Sequence, residues 1–386
     1  MPRQLRADSA KLIIGLALDD SLDSNDGVQQ YVLTLGRWLS KQGHEVHYIC
    51  GQTDRRKLGN LHSLSKNFRI KFNGNWLSVP WPVSQRMIQS QLGDINLDVL
   101  HVQMPFSPLM SGKVISWLKP STAVIGTFHI LPYGKLATVA SRGLGLLSRR
   151  SIKRFDTILA VSVPAQDLVA QMYLRQATVL GNAFDFKRFS KAAHLQTAKE
   201  LKILFLGRLV PRKGCMDLLN ALALIKSSKA ALPAYHLTIA GDGPLKSKLM
   251  RYCRRHQLES SVRFAGYVSE SAKVKYLAQA DIAVFPSYSG ESFGIVLLEA
   301  MANGHTAVLA ADNPGYKALL KNNPQSLFKA RDSVDLANKL TRLFMDPALR
   351  QSMALKGQNL ARQYDVSVIG ERLVEYYRTA LHKRQS

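Results

Sequence analysis

Short, uninterrupted runs of Val, Ile, Leu and Ala recur along this chain between longer stretches of helical spacing, and no other feature restricts its fold as tightly. In the first half they fall at Leu12–Leu18, Val46–Cys50, Val99–Val102, Ala123–Phe128 and Ile158–Val161. A strand with one wet face alternates apolar and polar residues, so runs without alternation predict strands buried on both faces, as in a parallel sheet covered by helices. The pattern pauses over the polar stretch 187–200, KRFSKAAHLQTAKE, and restarts at Lys202–Gly207, Tyr235–Gly241, Val262–Gly266, Ile282–Ser287 and Thr306–Ala310. A chain of 386 residues is too long for one ordinary core. The expectation is therefore an α/β protein with two doubly wound domains, 1–190 and 191–365, whose strand ends face each other across a cleft, since ligands of such sheets bind at the carboxyl ends of the strands. Val368, Ile369, Leu373, Val374, Tyr376 and Tyr377 have helical spacing and predict a closing helix over 366–386 that packs back on the first domain.

Charge narrows the partners. The chain has 52 Lys and Arg against 27 Asp and Glu, a net charge of +25. Such an excess fits something acidic: nucleic acid, an anionic membrane surface or a phosphorylated small molecule. The nucleic-acid reading lacks support, because neither the paired Cys and His of zinc fingers nor the aromatic-basic strand of an RNA-recognition module is present. A nicotinamide oxidoreductase would need Gly-x-Gly-x-x-Gly after a strand, and none occurs. Cys50, Cys215 and Cys253 are far apart and outside any Cys-x-x-Cys spacing, which argues against a disulfide framework or a zinc site and fits a reducing cytosol. The amino terminus, MPRQLRADSA, is polar, and no run approaches the ~18 apolar residues of a membrane span, so membrane contact is expected to be peripheral.

Two segments of the second half carry chemistry. In Gly290-Glu-Ser-Phe-Gly-Ile-Val-Leu-Leu-Glu299, two carboxylates stand eight positions apart, the first in a loop and the second inside a helix beginning near Gly294. A loop glutamate beside backbone N–H groups at a helix start can hold sugar hydroxyls and a diphosphate together. A carboxylate inside an apolar helix is costly unless satisfied, so Glu299 requires a ligand hydroxyl or a protein donor. In Gly207-Arg208-Leu-Val-Pro-Arg212-Lys213-Gly214, cations flank a turn between strand and helix. An Arg fork and a Lys point charge there could stabilise a departing diphosphate without a metal. Gly241–Leu245, GDGPL, is either a further site loop or a plain tight turn.

These motifs resemble the Glu-x7-Glu family 4 retaining glycosyltransferases, which have the GT-B fold of two Rossmann-like domains. The resemblance implies a nucleotide-sugar donor as substrate, with no cofactor and no metal required. It places Glu291 by the donor sugar and Glu299 on the ribose. It places Phe293, Gly294, Ile295 and Val296 along the donor, Arg208 and Lys213 on the diphosphate, and Val268 at the base; Arg212 matches no family role. In the first half, Ser21-Leu-Asp-Ser-Asn-Asp-Gly27-Val28-Gln29 is similar to the corresponding loop of phosphatidylinositol mannosyltransferases. By that likeness Gly27 approaches the diphosphate, Gln29 faces the acceptor, and His129, in Gly126-Thr-Phe-His, lies near donor sugar and acceptor as a member of the catalytic set. Asp26 stands where the family has glycine; it is expected to turn away as a helix N-cap, the alternative being altered donor binding. His101 is left open between site and structure, while Asn182 and Asp185 are expected to be structural.

The resemblance implies GDP-mannose as donor, a phosphatidylinositol-type anionic lipid as acceptor, and a peripheral place at the cytoplasmic face of the cell membrane. A UDP-glucose-type donor with another lipid or glycan is the alternative. Between Lys135 and Phe155, Lys135, Arg142, Arg149, Arg150, Lys153 and Arg154 occur without one acidic residue. That stretch reads equally as a basic amphipathic helix on an anionic bilayer and as a core-facing helix with a solvated side. Phe72, Trp76 and Trp81 offer a second interfacial patch.

Overall fold

A computed structural model describes residues 11–24, 26–55, 57–72, 75–104, 109–131, 143, 148–191, 200–228 and 231–385, with the backbone alone at 70–72, 75–77 and 149. The chain forms two compact units, one of residues up to Ala183 with those from Val366 onward, the other Phe184–Asp365. The division thus falls between Ala183 and Phe184, ahead of the polar stretch where the sequence places it. The apolar pattern stops at Leu180, whereas Phe184, Phe186 and Phe189 are already buried.

The first unit holds β1 (Ile13–Leu18), β2 (Glu45–Cys50), β3 (Leu61–Ser63), β4 (Asn67–Phe72), β5 (Asn75–Pro80), β6 (Val99–Gln103), β7 (Ala123–Phe128), β8 (Thr157–Ala160) and β9 (Thr178–Val179). Its seven-stranded sheet has the order β3-β2-β1-β6-β7-β8-β9, and β4 and β5 form a separate antiparallel hairpin. All pairings in the large sheet are parallel. The helix Val366–Gln385 belongs to this unit and packs on the helix Gly27–Lys41 and on β7. Gly370 permits that approach, because a Cβ there would stand 2.5 Å from the Trp38 ring. His101, fully buried, accounts for a second anchor: its ring nitrogens lie 2.7 Å from Tyr377 Oη of that helix and 2.7 Å from Thr127 Oγ1. Both ring nitrogens of His101 thus have protein partners.

The second unit holds β10 (Leu201–Leu206), β11 (Tyr235–Ala240), β12 (Val262–Gly266), β13 (Ile282–Phe285), β14 (Ala307–Ala311) and β15 (Leu327–Phe328), in the order β12-β11-β10-β13-β14-β15. Every pairing is parallel. Counted from β10, this is the doubly wound Rossmann order 3-2-1-4-5-6. Ile203 and Phe205 enter one core with Leu336, Leu340 and Phe344 of the helix Ser333–Met345, while Leu204, equally buried, lies outside that cluster. Successive side chains point to opposite faces, so helices cover both faces, which is why the strands read as continuous apolar runs.

Candidate functional site

In the second unit the connections reverse direction between β10 and β13, the point at which sheets of this order bind ligands beyond the carboxyl ends of their strands. The turn after β10 contains Arg208, Arg212 and Lys213; the loop after β13 contains Ser287 and Glu291. Lys213 Nζ lies 2.7 Å from Glu291 Oε1, Arg212 Nη1 3.0 Å and Ser287 Oγ 2.9 Å from the same oxygen. Tyr316, buried, adds a hydrogen bond to the Glu291 side chain.

Glycine makes this meeting possible at two positions. Gly214 has φ +67°, and a Cβ on it would stand 2.1 Å from Pro286 O, so the basic turn closes on the exit of β13 only through glycine. A Cβ on Gly315 would stand 2.3 Å from Glu291 O, so the Glu291 backbone rests against glycine as well. Asn313 caps the helix Pro314–Leu319 at Tyr316 N and donates from Nδ2 to Ser287 O at 2.6 Å, tying the two loops together.

Burial pushes the Glu291 carboxyl up, yet the adjoining Lys213 ammonium and Arg212 guanidinium outweigh it and hold the group below the usual carboxylate range. Glu291 is therefore an anion fixed at the strand ends. It can accept from hydroxyl groups, while Lys213, 20% exposed, can reach an anionic ligand. Arg208 is exposed just past the end of β10, and the Lys213 stem passes Gly207, its Cδ 3.8 Å from where a Cβ would stand. The structure thus brings Glu291 and Lys213 into contact and sets Arg208 on the same turn.

Glu299 lies in the helix Ile295–Met301, which Gly294 caps at φ +107°. Its carboxylate is satisfied by a protein donor, Lys273 Nζ at 2.7 Å, and Lys273 also lies 3.0 Å from Glu270. Burial raises the Glu299 carboxyl and Lys273 opposes it; Lys273 itself, though burial lowers it, is kept charged by Glu299 and Glu270. Phe293 is buried and meets Tyr364 edge-on at 5.3 Å, while Ile295 and Val296 are half-buried at the helix start. Val268 is half-buried between β12 and the helix Glu270–Gln279. Gly241 and Gly243 belong to a tight turn: Leu209 N donates to Asp242 O and Leu245 N to Leu209 O, so the GDGPL loop braces the basic turn.

In the first unit, His129 follows β7 and is buried, with Nε2 2.7 Å from Gln103 Oε1 and a further bond to Asn182. Burial pushes its pKa down to about 3, so the imidazole is neutral. Gln29 is buried in the first turn of the helix Gly27–Lys41 and bonds to Asp20, whose carboxyl burial raises to about 6. Gly27 is exposed at the start of that helix. Asp26 corrects one expectation: it occupies the N-cap position but caps no backbone N–H, and Oδ2 instead accepts from Ser24 Oγ at 3.1 Å. Asp185, by contrast, caps the helix Phe186–Ser190 through Arg188 N. Residues 132–142 and 144–147 of the basic stretch, and the side chains of Phe72 and Trp76, lie outside the described residues; Trp81 is exposed and packs at 4.9 Å on Phe68.

Sequence reasoning named Arg212 in the basic turn without giving it a role, and it missed Ser287, Tyr316 and Lys273. Only Lys273 left a signal, because a buried glutamate demands a donor. Among the described residues, no cluster of His, Cys, Asp or Glu is arranged to hold a metal ion, and no helix is long and apolar enough to cross a membrane.

Residues 186–360 match the family Glycosyl transferases group 1, and residues 25–188 match Glycosyltransferase Family 4. The chain is 29% identical to phosphatidyl-myo-inositol mannosyltransferase of Propionibacterium freudenreichii over 383 residues, covering 95% of each. It is also 29% identical to the enzyme of that name from Mycolicibacterium smegmatis, covering 95% of this chain and 93% of the relative. Among solved structures, a glycosyltransferase from Rickettsia africae superposes with a TM-score of 0.75 at 16% identity, covering 96% of this chain and 99% of that one. WaaG, a glycosyltransferase involved in lipopolysaccharide biosynthesis, superposes with a TM-score of 0.69 at 16% identity, covering 94% and 99%.

Proposed function

Because the chain belongs to the family 4 glycosyltransferases and has their two-domain GT-B fold, we propose that it moves mannose from GDP-mannose to a hydroxyl of a phosphatidylinositol-type lipid, with retention at the anomeric carbon. The observation that carries this reading is the Glu291 carboxylate, held ionised by Lys213, Arg212 and Ser287 where the second sheet reverses. The second unit would bind the donor: Glu299 on the ribose, Val268 beside the base, Glu291 on the sugar hydroxyls, Arg208 and Lys213 on the diphosphate. During transfer the bond from the anomeric carbon to the diphosphate breaks, the acceptor oxygen takes its place, and the acceptor proton passes to the departing phosphate. Positive charge in position beforehand stabilises that leaving group without a metal.

The acceptor reading rests on the similarity to mannosyltransferases named for phosphatidyl-myo-inositol across nearly the full length of both chains. Gln29 and His129 would face the acceptor, and a net charge of +25 suits a peripheral place at the anionic cytoplasmic membrane face. A screen of GDP-mannose, GDP-glucose and UDP-glucose against phosphatidylinositol, other lipids and soluble glycans, read by mass spectrometry, tests the proposal. A mannosylated inositol lipid is the expected product; turnover with UDP-glucose alone would overturn the donor, and a soluble glycan product would overturn the acceptor.

A further inference from the structure

Lys213 has two tasks that compete. It makes the shortest contact to the largely buried Glu291, 2.7 Å, and it is the cation proposed to meet the donor diphosphate. If Lys213 alone neutralised Glu291, drawing its ammonium toward a phosphate would strip a buried carboxylate of its counter-charge, and a buried anion without a partner takes up a proton instead.

Arg212 resolves the conflict. Its side chain is 11% exposed against 20% for Lys213, so it is the more deeply seated of the two cations. Nη1 donates to Glu291 Oε1 at 3.0 Å and approaches Ser289 O at 3.4 Å, within the same loop. The Arg212 backbone fixes that loop too, accepting from Tyr288 N at 3.0 Å. Ser287 and Tyr316, which also hydrogen-bond Glu291, are neutral, so when Lys213 turns away Arg212 keeps a positive charge in contact with this carboxylate. Gly290, with φ +72° and its Cβ position 3.3 Å from Arg212 Nη1, leaves the guanidinium room beside the loop.

We infer that Arg212 is a positioning residue that anchors the Glu291 carboxylate, leaving Lys213 able to turn to a diphosphate. The inference rests on the proposed donor site, and it divides a basic turn into one cation for the protein and one for the ligand. A Lys at 212 would keep the charge with a shorter reach; a Gln would keep the size and lose the charge.

The test follows the Glu291 carboxyl directly, by 13C NMR of glutamate-labelled protein, with E291Q to assign the signal, in the wild type, R212Q and R212K. Each is measured alone and with saturating GDP or UDP. In the wild type Glu291 should titrate below the usual carboxylate range with or without nucleotide. In R212Q its titration should move upward, and move further upward when the diphosphate draws Lys213 away. R212K should restore most of the wild-type behaviour, which a purely packing role for Arg212 would not predict. A Glu291 titration in R212Q identical to that of the wild type, free and bound, would overturn the role of Arg212. Absence of binding heat with either diphosphate in calorimetry would instead overturn the donor site on which it rests, and with it the inference.

Discussion

Replacing Lys273 by Met isolates the energetics of the buried pair it forms with Glu299. The two side chains are 13% and 7% exposed, so solvent screens their 2.7 Å contact little. Removing one partner of such a pair costs about 3–5 kcal/mol, an upper range here because Glu299 can take up a proton. That escape gives the deficit a pH dependence of definite sign. Without Lys273, burial raises the Glu299 carboxyl in the folded state further above its unfolded value of about 4.3. Below that unfolded value both states are protonated and the charge deficit vanishes. As the pH rises the unfolded chain ionises first, and stability falls by about 1.4 kcal/mol per unit until the folded pKa is passed. Urea unfolding of K273M followed by far-UV circular dichroism should therefore show a loss of about 3 kcal/mol at pH 7, shrinking to about 1 at pH 5. All four tryptophans, Trp38, Trp76, Trp81 and Trp117, lie in the first unit, so the fluorescence transition should stay in place. Adding E299M should recover most of the loss, since both charges are then gone. An equal deficit at pH 5 and pH 7, or no recovery in the double variant, would refute this reasoning.

Other outcomes follow from the same contacts. G315A drives a methyl group to 2.3 Å from Glu291 O, so the loop must shift; turnover should fall about 100-fold while the circular dichroism spectrum stays native, and normal turnover would remove Glu291 from the chemistry. His101 is held neutral, its pKa pushed down to about 3 by burial and then by His129, so the unfolded chain binds its proton first as the pH drops below about 6.5. Stability of the first unit should decline from there by up to about 1.4 kcal/mol per unit for this residue, and H101L should flatten that slope while costing about 2 kcal/mol at pH 7, both read by tryptophan fluorescence in urea. The protein should sediment with anionic vesicles and remain in solution with zwitterionic ones at low salt; indifference to lipid charge would count against the membrane reading.

The architecture was legible in the sequence because the sheets are covered on both faces. A strand such as Ala123–Phe128 has no charged position to blur its ends, and sequence and structure agree there residue for residue. The Glu291 loop and the basic turn were legible too, since charge at the ends of apolar runs has few other uses. Direction was not. Arg212 and Lys213 are neighbours in an irregular turn, where spacing does not say which way a side chain points, and only the 3-10 turn Pro211–Lys213 sets both on Glu291. Lys273 and Gly315 act across 26 and 24 positions from Glu299 and Glu291 (299 − 273 and 315 − 291), separations that only the folded sheet brings together. Asp26 looked like a cap because its residue type and position fit one, but Ser24 captures its carboxylate first. The polar stretch 187–200 looked like a domain boundary on composition alone, whereas Phe184, Phe186 and Phe189 are buried and already belong to the second unit.

Isothermal titration of GDP-mannose into the wild type, R208A, K213A and E291A, in buffer containing a chelator, tests the donor site most directly. Binding should persist without metal, weaken at least about tenfold in R208A and K213A through loss of charge-assisted contacts to the diphosphate, and weaken in E291A. Wild-type binding that vanishes with the chelator, or undiminished affinity in K213A and E291A, would contradict the account.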